Sequence, residues 1–394
     1  MKKIIILSTY CFGKASTNGY CARLLAQALR SQGHQVALVG YGEASTDIEA
    51  SGADGDFVLE NASEAELAAN KKQAIKNIYQ SLRGPVYDKA LAKRYADFVC
   101  RLVEKHNYDA VVSMYFPVVC MLAAKKAKRK FPHLKIFNYE LDSASDGIVY
   151  KSRLSPLQNK AGTRWLRNSY KAFDGVFVMK SHHDHVKSLY GDVLGDRLVV
   201  TDLPVLENKL SEYEPKNEQA TFVYAGLLDK SYRSPRVILD LFSKNKQENW
   251  QLHFFSKGNC ESEIALAAKN DSRIIQHGYV SSEELDESTK NADVLISIGN
   301  AQSKSVPSKI ITYMSCGKPI IHFSLQGDDV CQEYLKKYPA ALIIEAGEAS
   351  SEAAQKIKQF IEEAKSKSFT FGDLEQAFPM NLPAYSANAI VNKL

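Results

Sequence analysis

The side chains best suited to binding chemistry lie in residues 299–321, in the last third of the sequence. An apolar run at 294–298 predicts a strand, a polar loop follows, and Pro307 opens a short helix that carries Ser308 and Lys309. In an open α/β sheet, ligands bind beyond the carboxyl ends of the strands, where a helix start supplies amides, a hydroxyl and a cation. The pattern suits a diphosphate and requires no metal. Proline and serine also begin ordinary helices, so position alone leaves both interpretations open.

A second candidate is the loop at residues 8–19, which follows the first apolar run. It lacks the GxGxxG spacing of dinucleotide-binding loops, because no glycine lies two residues from Gly13. It is not a P-loop, because Ser8 occupies the first glycine position and Ala15 replaces the magnesium-binding hydroxyl. The loop is therefore interpreted as one that ends at the start of a helix, and the amide of Gly19 there is a candidate for binding an anion or a sugar.

Short β-branched runs alternate with helical periodicity through both halves of the chain, which is typical of parallel sheets with helices between the strands. At 394 residues the chain exceeds the roughly 250 to 300 residues at which single cores stop growing, so we expect two domains. A first series of strands is predicted at 3–8, 35–40, 110–114, 135–139, 175–179 and 197–201. A second is predicted at 221–225, 251–255, 273–276, 293–297, 319–323 and 341–344. The predicted fold class is α/β with two Rossmann-like parallel-sheet domains.

The periodicity lapses once, in a polar segment rich in Glu, Lys and Asn that follows Pro204. We therefore predict an N-terminal domain at 1–205, a linker at 206–219 and a C-terminal domain at 220–368. The remaining tail, 369–394, contains two prolines and ends in a helix-like piece. We expect it to cross back onto the N-terminal domain, the alternative being a frayed terminus.

Composition and charge exclude several classes of protein. The chain is 45% apolar and 24% charged, as globular proteins are, and no run approaches the roughly 18 apolar residues of a membrane span. The first apolar run is shorter than the about 7 to 15 residues of a secretory signal. Seven scattered cysteines without a CxxC pair predict reduced thiols and no zinc site. The net charge of +5 is too small to indicate nucleic acid, so we expect a cytoplasmic protein that needs no cofactor.

Several motifs in the second half resemble one protein family. Residues 306–313 (VPSKIITY) and 317–321 (GKPII) resemble the nucleotide-sugar signature of bacterial GT-B glycosyltransferases related to the large retaining family 4, which include enzymes of surface-polysaccharide synthesis. Residues 277–280 (HGYV), 291–300 and 224–235 also resemble that group. In the N-terminal half the resemblance is only architectural.

The resemblance implies a GT-B fold whose two domains face each other across a cleft. It implies that the C-terminal domain binds a nucleotide-sugar, expected to be a UDP-sugar, and that the N-terminal domain binds a carbohydrate or lipid-linked acceptor. It further implies sugar transfer with retention of the anomeric configuration and without a metal.

Carried over by position, the resemblance implies that Arg233 and Lys309 neutralise the donor diphosphate and compensate the charge of the leaving group. Gly226 would let the backbone approach the diphosphate, and the other implied donor contacts are Lys257, Gly258, Tyr279, Val280, Asn300 and Ser308. Each has an ordinary alternative: Arg233 also suits a solvated helix start, and the glycines suit turns. Together, in matching order, they favour a donor site.

One departure from the family lies in the signature helix. Family 4 enzymes commonly carry a glutamate pair with E-x7-E spacing here, and the second glutamate binds the donor ribose. Lys304 and Thr312 stand at those positions in this chain. Thr312 is therefore the candidate for the ribose contact in this chain.

Candidate acceptor chemistry lies after the strand at 135–139. Asp142 or Glu140 could orient the acceptor hydroxyl or act as its base, and we take Asp142 as the catalytic candidate. The alternative is an acid that caps the next helix. The histidines at 182–185 open a predicted helix without a distant ligand set, so we expect no metal there.

Residues 151–171 carry six cations and no acid, interleaved with Trp165 and leucines. A further basic cluster lies at 125–130. Basic helices of this composition suit an anionic membrane surface, so we expect peripheral membrane contact through 151–171. The alternative is a solvated face with Trp165 packed internally.

Two other classes of function stay open. A sugar-nucleotide epimerase on the same fold would interconvert free nucleotide-sugars without an acceptor. A catalytically silent subunit would only bind or scaffold a partner transferase, and no nucleotide would stabilise it.

Overall fold

The computed structural model describes all residues except 10, 13–15, 43–45, 61–76, 116–117, 145–153, 211–218, 302–305, 365–366 and 368. Among the sequence predictions, those on Gly13, Ala15, Lys151, Arg153 and Lys304 fall outside the described residues. The chain divides into two compact units. The first unit comprises Met1–Val205 and Met380–Leu394, and the second comprises Leu206–Pro379.

The first unit contains a seven-stranded, entirely parallel sheet in the order β3-β2-β1-β4-β5-β6-β7. Its central strands are almost completely buried aliphatic runs, as a sheet covered on both faces requires. The strands are β1 Lys3–Leu7, β2 Gln35–Gly42, β3 Gly55–Glu60, β4 Ala110–Tyr115, β5 Lys135–Glu140, β6 Gly175–Met179 and β7 Leu198–Thr201.

Helices connect these strands. They are α1 Thr17–Ser31, α2 Lys89–His106, α3 Val118–Lys130, α4 Ser155–Tyr170 and α5 Lys180–Leu194, with a 3-10 turn at Gly195–Arg197. The boundaries of α2 follow from local chemistry: the side chain of Asp88 caps its first turn, and Asn107 ends it in the left-handed conformation with φ 54°.

The C-terminal residues complete the first unit. A 3-10 turn at Pro379–Asn381 leads into the last helix, α13 Pro383–Val391. The Ser386 hydroxyl lies 2.8 Å from the Tyr139 hydroxyl of β5, and Asn381 Nδ2 donates to Leu203 O at 3.1 Å. These buried contacts join the end of the chain to the carboxyl edge of the first sheet.

The second unit contains a six-stranded parallel sheet in the order β10-β9-β8-β11-β12-β13. Its strands are β8 Ala220–Leu228, β9 Trp250–Gly258, β10 Ile274–Gln276, β11 Val294–Ile298, β12 Ile320–Phe323 and β13 Ala341–Ile344. Its helices are α6 Arg236–Lys244, α7 Glu261–Asn270, α8 Ser282–Asn291, α9 Ser308–Ser315, α10 Cys331–Leu335, α11 Ser350–Ala364 and α12 Phe371–Ala377.

The α/β prediction with two parallel sheets is confirmed, and one strand was missed. The strand β3 lies at the edge of the first sheet and has only three apolar residues among its six (GDFVLE), so it shows no clear β-branched run. The described residues of the predicted linker, 206–210 and 219, lie within the second unit, whereas the predicted tail is divided, with 369–379 in the second unit and 380–394 in the first. In the described part of the chain, every helix is too short or too polar to cross a membrane.

Candidate functional site

The candidate site lies at the carboxyl edge of the second sheet, where β8 and β11 are neighbours. Directly after β8 the chain forms a tight turn, closed by two backbone hydrogen bonds between Asp229 and Arg233 at 2.9 and 3.1 Å. After β11, Ala301 N donates to Tyr232 O at 2.8 Å. This contact fixes the two loops to each other.

Arg233 and Asn300 meet at this junction. The guanidinium donates from Nε at 3.0 Å and from Nη2 at 2.6 Å to the side-chain oxygen of Asn300, and Nη1 lies 3.5 Å from Leu227 O. Every acceptor that the described residues offer to Arg233 in these hydrogen bonds is neutral. A half-buried cation held by neutral groups keeps its charge for an anionic ligand.

Two buried tyrosines hold the end of β8 in place. The Tyr224 hydroxyl donates to Leu227 O at 3.1 Å, and burial raises the pKa of Tyr224 to about 12 although the nearby Arg233 favours ionisation. The Tyr313 hydroxyl of α9 accepts from Ala225 N at 3.0 Å. Because of these contacts, α9 and the Arg233 turn have defined positions at the edge of one sheet.

Helix α9 begins with Ser308 and Lys309, as the sequence predicted. Pro307 occupies the N-cap and has no side-chain oxygen with which to cap the first-turn amides. Lys309 is half-buried, and desolvation lowers the pKa of its amine below the usual lysine range despite attraction from Asp286. The helix start therefore combines amides, a hydroxyl and a partly desolvated amine.

Thr312 lies one turn further along α9. Its hydroxyl lies 3.0 Å from Ser308 O and 3.1 Å from Lys309 O, so its proton is directed to the helix backbone. The oxygen lone pairs can still accept a hydrogen bond. The ribose contact stays a prediction.

The glycines of the candidate site have backbone conformations that disfavour other residues. Gly226 has φ 154° and Gly258 has φ 130°. A Cβ on Gly258 would lie 1.9 Å from Leu228 O, so β8 and β9 end in a contact that only glycine permits. The role of Gly226 in approaching a diphosphate stays a prediction.

Lys257 and Tyr279 form a separate pair at the same edge, on the β9 and β10 side. The ammonium lies 4.7 Å from the centre of the Tyr279 ring, which is 68% exposed, and Val280 is half-buried beside it. An exposed ring with a cation on its face suits a planar ligand. The structure therefore forms two groups, Arg233 with Asn300 and Lys257 with Tyr279, on strands of one sheet.

Sequence reasoning missed a buried polar chain behind Asn300. His322 Nδ1 lies 3.0 Å from Ser297 Oγ, and His322 Nε2 lies 2.9 Å from Asp329 Oδ2. Within the described residues, His322, Asp329 and Cys331 are the group whose ligand atoms lie close enough to hold a metal, within 4.8 Å of one another. Their spacing along the chain has no motif, and the connection from β12 to α10 brings them together. The expectation of a metal-free protein stays a prediction.

In the first unit, Gly19 already has a partner: its amide donates to the side chain of Ser16, the N-cap of α1, at 3.0 Å. An anion at this helix start would therefore have to use other amides or displace Ser16. The sequence could have indicated this, because serine three residues before Gly19 is a common capping position.

The two candidate acids after β5 differ in exposure. Asp142 is exposed, as a group that touches substrate must be, whereas Glu140 is 1% exposed. Glu140 accepts hydrogen bonds from Tyr170 Oη at 2.6 Å, Asn138 Nδ2 at 2.8 Å and Ala144 N at 3.3 Å. Burial nevertheless raises the pKa of Glu140 to about 7. Glu140 is thus an interior group in this structure, and Asp142 stays the candidate base.

The basic segments are less available than the sequence suggested. Trp165 is half-buried against the first core, with Lys125 over its ring at 5.5 Å, so the alternative of internal packing is correct for this residue. In the cluster at 125–130, Lys126, Lys128 and Lys130 form ion pairs with Asp97, Asp174 and Glu104.

The architecture and the sequence together define a class. Two parallel-strand sheets with flanking helices match the GT-B fold of glycosyltransferases. Residues 219–363 match the family described as "Glycosyl transferases group 1". No curated protein matches the chain significantly in sequence. The domain match and the fold support a GT-B glycosyltransferase.

Solved structures match over nearly the whole chain. A glycosyltransferase from Rickettsia africae ESF-5 superposes with a TM-score of 0.63 at 14% identity, covering 99% of this chain and 96% of that one. An α,α-trehalose-phosphate synthase (UDP-forming) from Burkholderia xenovorans gives 0.65 at 10% identity, covering 99% of each chain. An E. coli trehalose-6-phosphate protein bound with UDP-2-fluoro glucose gives 0.60 at 10% identity, covering 99% and 98%. At these identities the likeness concerns the fold.

Proposed function

We propose that the protein transfers a hexose from a UDP-sugar to a carbohydrate or lipid-linked acceptor, without a metal and with retention, in surface polysaccharide or glycoconjugate synthesis. The observation that carries the proposal is the Arg233–Asn300 contact at the end of β8 and β11, in the same unit as the α9 start. The glycosyl transferases group 1 match covers these residues.

In this proposal the donor diphosphate binds to Arg233, to the Ser308 hydroxyl and to the amides of the α9 start. As the bond from sugar to phosphate breaks, negative charge develops on the leaving diphosphate. Arg233, the protonated Lys309 and the positive end of the α9 dipole stabilise that charge, which a metal would otherwise do. Asp142 of the first unit would orient the acceptor hydroxyl or take its proton.

UDP is the proposed nucleotide because two similar folds handle it: the Burkholderia xenovorans synthase is UDP-forming, and the E. coli protein is bound with UDP-2-fluoro glucose. The Lys257–Tyr279 pair supplies an exposed ring beside the diphosphate edge. A base placed there would stack on or lie beside the Tyr279 ring.

Thermal unfolding with UDP, GDP, TDP and CMP tests this site. A nucleotide at about 100 times its dissociation constant should stabilise the chain by about 2.7 kcal/mol. We expect UDP to do so, and Arg233→Ala and Lys309→Ala to remove most of the effect. The matched control is Arg236→Ala, whose guanidinium is exposed and pairs with Glu263. An unchanged UDP response in the Arg233 and Lys309 variants contradicts the site.

Two measurements separate the remaining alternatives. Incubation of UDP-sugar alone yields an epimerised nucleotide-sugar if the chain is an epimerase, whereas a transferase leaves the configuration of the donor unchanged. A silent subunit shows no stabilisation by any nucleotide of the panel.

We further propose a cytoplasmic protein that contacts the inner face of the membrane through residues 151–171. Leu154 and Leu157, at the start of α4, are 42% and 61% exposed, and Lys160 and Arg164 are exposed on the same helix. Exposed leucines beside cations suit an anionic bilayer.

Vesicle flotation tests the membrane contact. We expect binding to phosphatidylserine-containing vesicles and not to phosphatidylcholine alone, with loss of binding in a Leu157→Asp and Lys160→Glu variant. The control is Leu266→Asp with Lys246→Glu, the same two substitutions at exposed residues of the second unit. Equal loss in both proteins argues against a specific surface.

A further inference from the structure

The buried chain of Ser297, His322 and Asp329 lies directly behind the loop that carries Asn300. Ser297 is on β11, His322 is the third residue of β12, and Asp329 precedes α10. His322 is fully buried and Asp329 is 5% exposed, so solvent cannot replace these hydrogen bonds. This series of hydrogen bonds begins at the Ser297 hydroxyl on β11 and ends at the Asp329 carboxylate, which lies next to the loop that carries Asn300.

The carboxylate of Asp329 packs against Gly299. A Cβ built on Gly299 would lie 2.0 Å from Asp329 Oδ2 and 3.4 Å from His322 Nε2, so only glycine fits between the loop and the pair. Gly299 N also donates to Phe323 O at 2.9 Å. The residue before Asn300 is therefore fixed on both sides.

The second carboxylate oxygen of Asp329 is also engaged. Asp329 Oδ1 accepts from Cys331 N at 2.9 Å, which ties the pair to the start of α10. Burial is the largest single influence and would raise the pKa of Asp329, but the hydrogen bond and charge interaction with His322, together with the hydrogen bonds from Cys331, lower the pKa below the usual aspartate range. The pair thus retains an ionised carboxylate behind Gly299.

We propose that His322 and Asp329 are positioning residues for Arg233, acting through Gly299 and Asn300. The pair holds the backbone at Gly299, which places the Asn300 oxygen where it accepts both donors of Arg233. The inference rests on the proposed function, because it assigns Arg233 the donor diphosphate. It adds two residues that do not touch the ligand.

A double-mutant cycle on UDP affinity separates positioning from general destabilisation. We expect Asp329→Asn to weaken UDP binding about tenfold in the wild-type background and less than about twofold when Arg233 is already alanine. In the Arg236→Ala background the loss should again be about tenfold, because Arg236 is paired elsewhere. Equal losses in all three backgrounds overturn the inference.

A crystal structure of Asp329→Asn supplies a readout that does not depend on nucleotide. We expect the Arg233 Nη2 to Asn300 Oδ1 distance, 2.6 Å in the wild type, to exceed hydrogen-bond range. Retention of that contact rejects the positioning role even if UDP binds. If wild-type protein binds no UDP, the proposed function fails while the crystal structure still decides this inference. Gly299→Ala, which forces the loop away from Asp329, is the second variant if Asp329→Asn does not fold.

Discussion

Arg233 directs two of its donors, Nε at 3.0 Å and Nη2 at 2.6 Å, to the one side-chain oxygen of Asn300. The contact orients the guanidinium without neutralising it, because an amide oxygen carries no net charge. A carboxylate in the place of the Asn300 amide would form an ion pair with Arg233 and neutralise its charge. The choice of an amide partner is therefore what leaves the cation available for a diphosphate.

Asn300→Asp tests this point directly. The new carboxylate would pair with Arg233 and repel a diphosphate, so we expect UDP to bind at least about tenfold more weakly, as measured by calorimetry. Asn270→Asp adds the same charge at the exposed end of α7 and should change the affinity little. Similar weakening in both variants means that net charge, and not the Arg233 contact, controls binding.

The pH dependence of UDP affinity should reveal Lys309. Burial lowers the pKa of Lys309, so the amine loses its proton, and its attraction for the diphosphate, at a lower pH than an ordinary lysine of pKa about 10.4. UDP affinity should therefore fall as pH rises, beginning below that value. In Lys309→Arg the cation persists, and the fall should be absent. Any titration of UDP itself affects the wild type and Lys309→Arg equally, so it cancels in the comparison. Identical profiles of UDP affinity against pH in the two proteins would show that Lys309 is not involved.

Glu140 predicts how the stability of the first unit depends on pH. Its pKa is raised to about 7, so the folded state holds a proton that the unfolded glutamate, with a pKa of about 4.3, releases earlier. The contribution of Glu140 to stability is therefore fully present at low pH and is lost as pH rises through about 7. Relative to Glu140→Gln, the wild type should lose about 3 kcal/mol of unfolding free energy between about pH 5 and about pH 8.

Chemical denaturation at both pH values measures this difference for Glu140→Gln. The control is Glu104→Gln, which removes an exposed carboxylate that pairs with Lys130. Its pH dependence should match that of the wild type. If Glu140→Gln also follows the wild type across this range, burial does not raise the pKa of Glu140 and the prediction is wrong.

The C-terminal helix should be essential to the first unit. Ile390 of α13 is fully buried, so Ile390→Ala should cost about 2 to 5 kcal/mol through loss of packing and the cavity it leaves. Hydrogen exchange should accelerate in peptides of β5 and β7, with peptides of the second unit as an internal reference. Asn392→Ala, at an exposed position, should exchange like the wild type. Exchange that is unchanged by Ile390→Ala would falsify this structural role.

The strands were largely predictable because their signal is local. Buried strands of parallel sheets are short runs of β-branched residues. Eleven of the twelve predicted runs share at least four residues with an observed strand, and the twelfth shares all three residues of the short strand β10. The strand β3 was not predicted because an edge strand tolerates polar residues, so its sequence lacks a continuous apolar run. The start of α9 was predictable for the same reason, since proline and serine mark helix starts.

The partners of the site residues were not predictable in this way. Arg233 and Asn300 are 67 positions apart, and His322 meets Ser297 across 25 positions. Between Glu140 and Asp142, the sequence could not decide which side chain is buried, because residues two apart share a face on a strand, and only the end of β5 at Glu140 places Asp142 in the loop beyond it.

The sequence by itself determined the α/β alternation, the two parallel sheets and the position of the signature helix, because each depends on periodicity or on residues within one turn. Only the tertiary structure decided that Arg233 has an amide partner, that Glu140 is buried and that Trp165 packs inward. Those features depend on which residues the sheet order brings to one edge or covers with a helix, and burial, which sets pKa and available charge, exists only once the chain has folded.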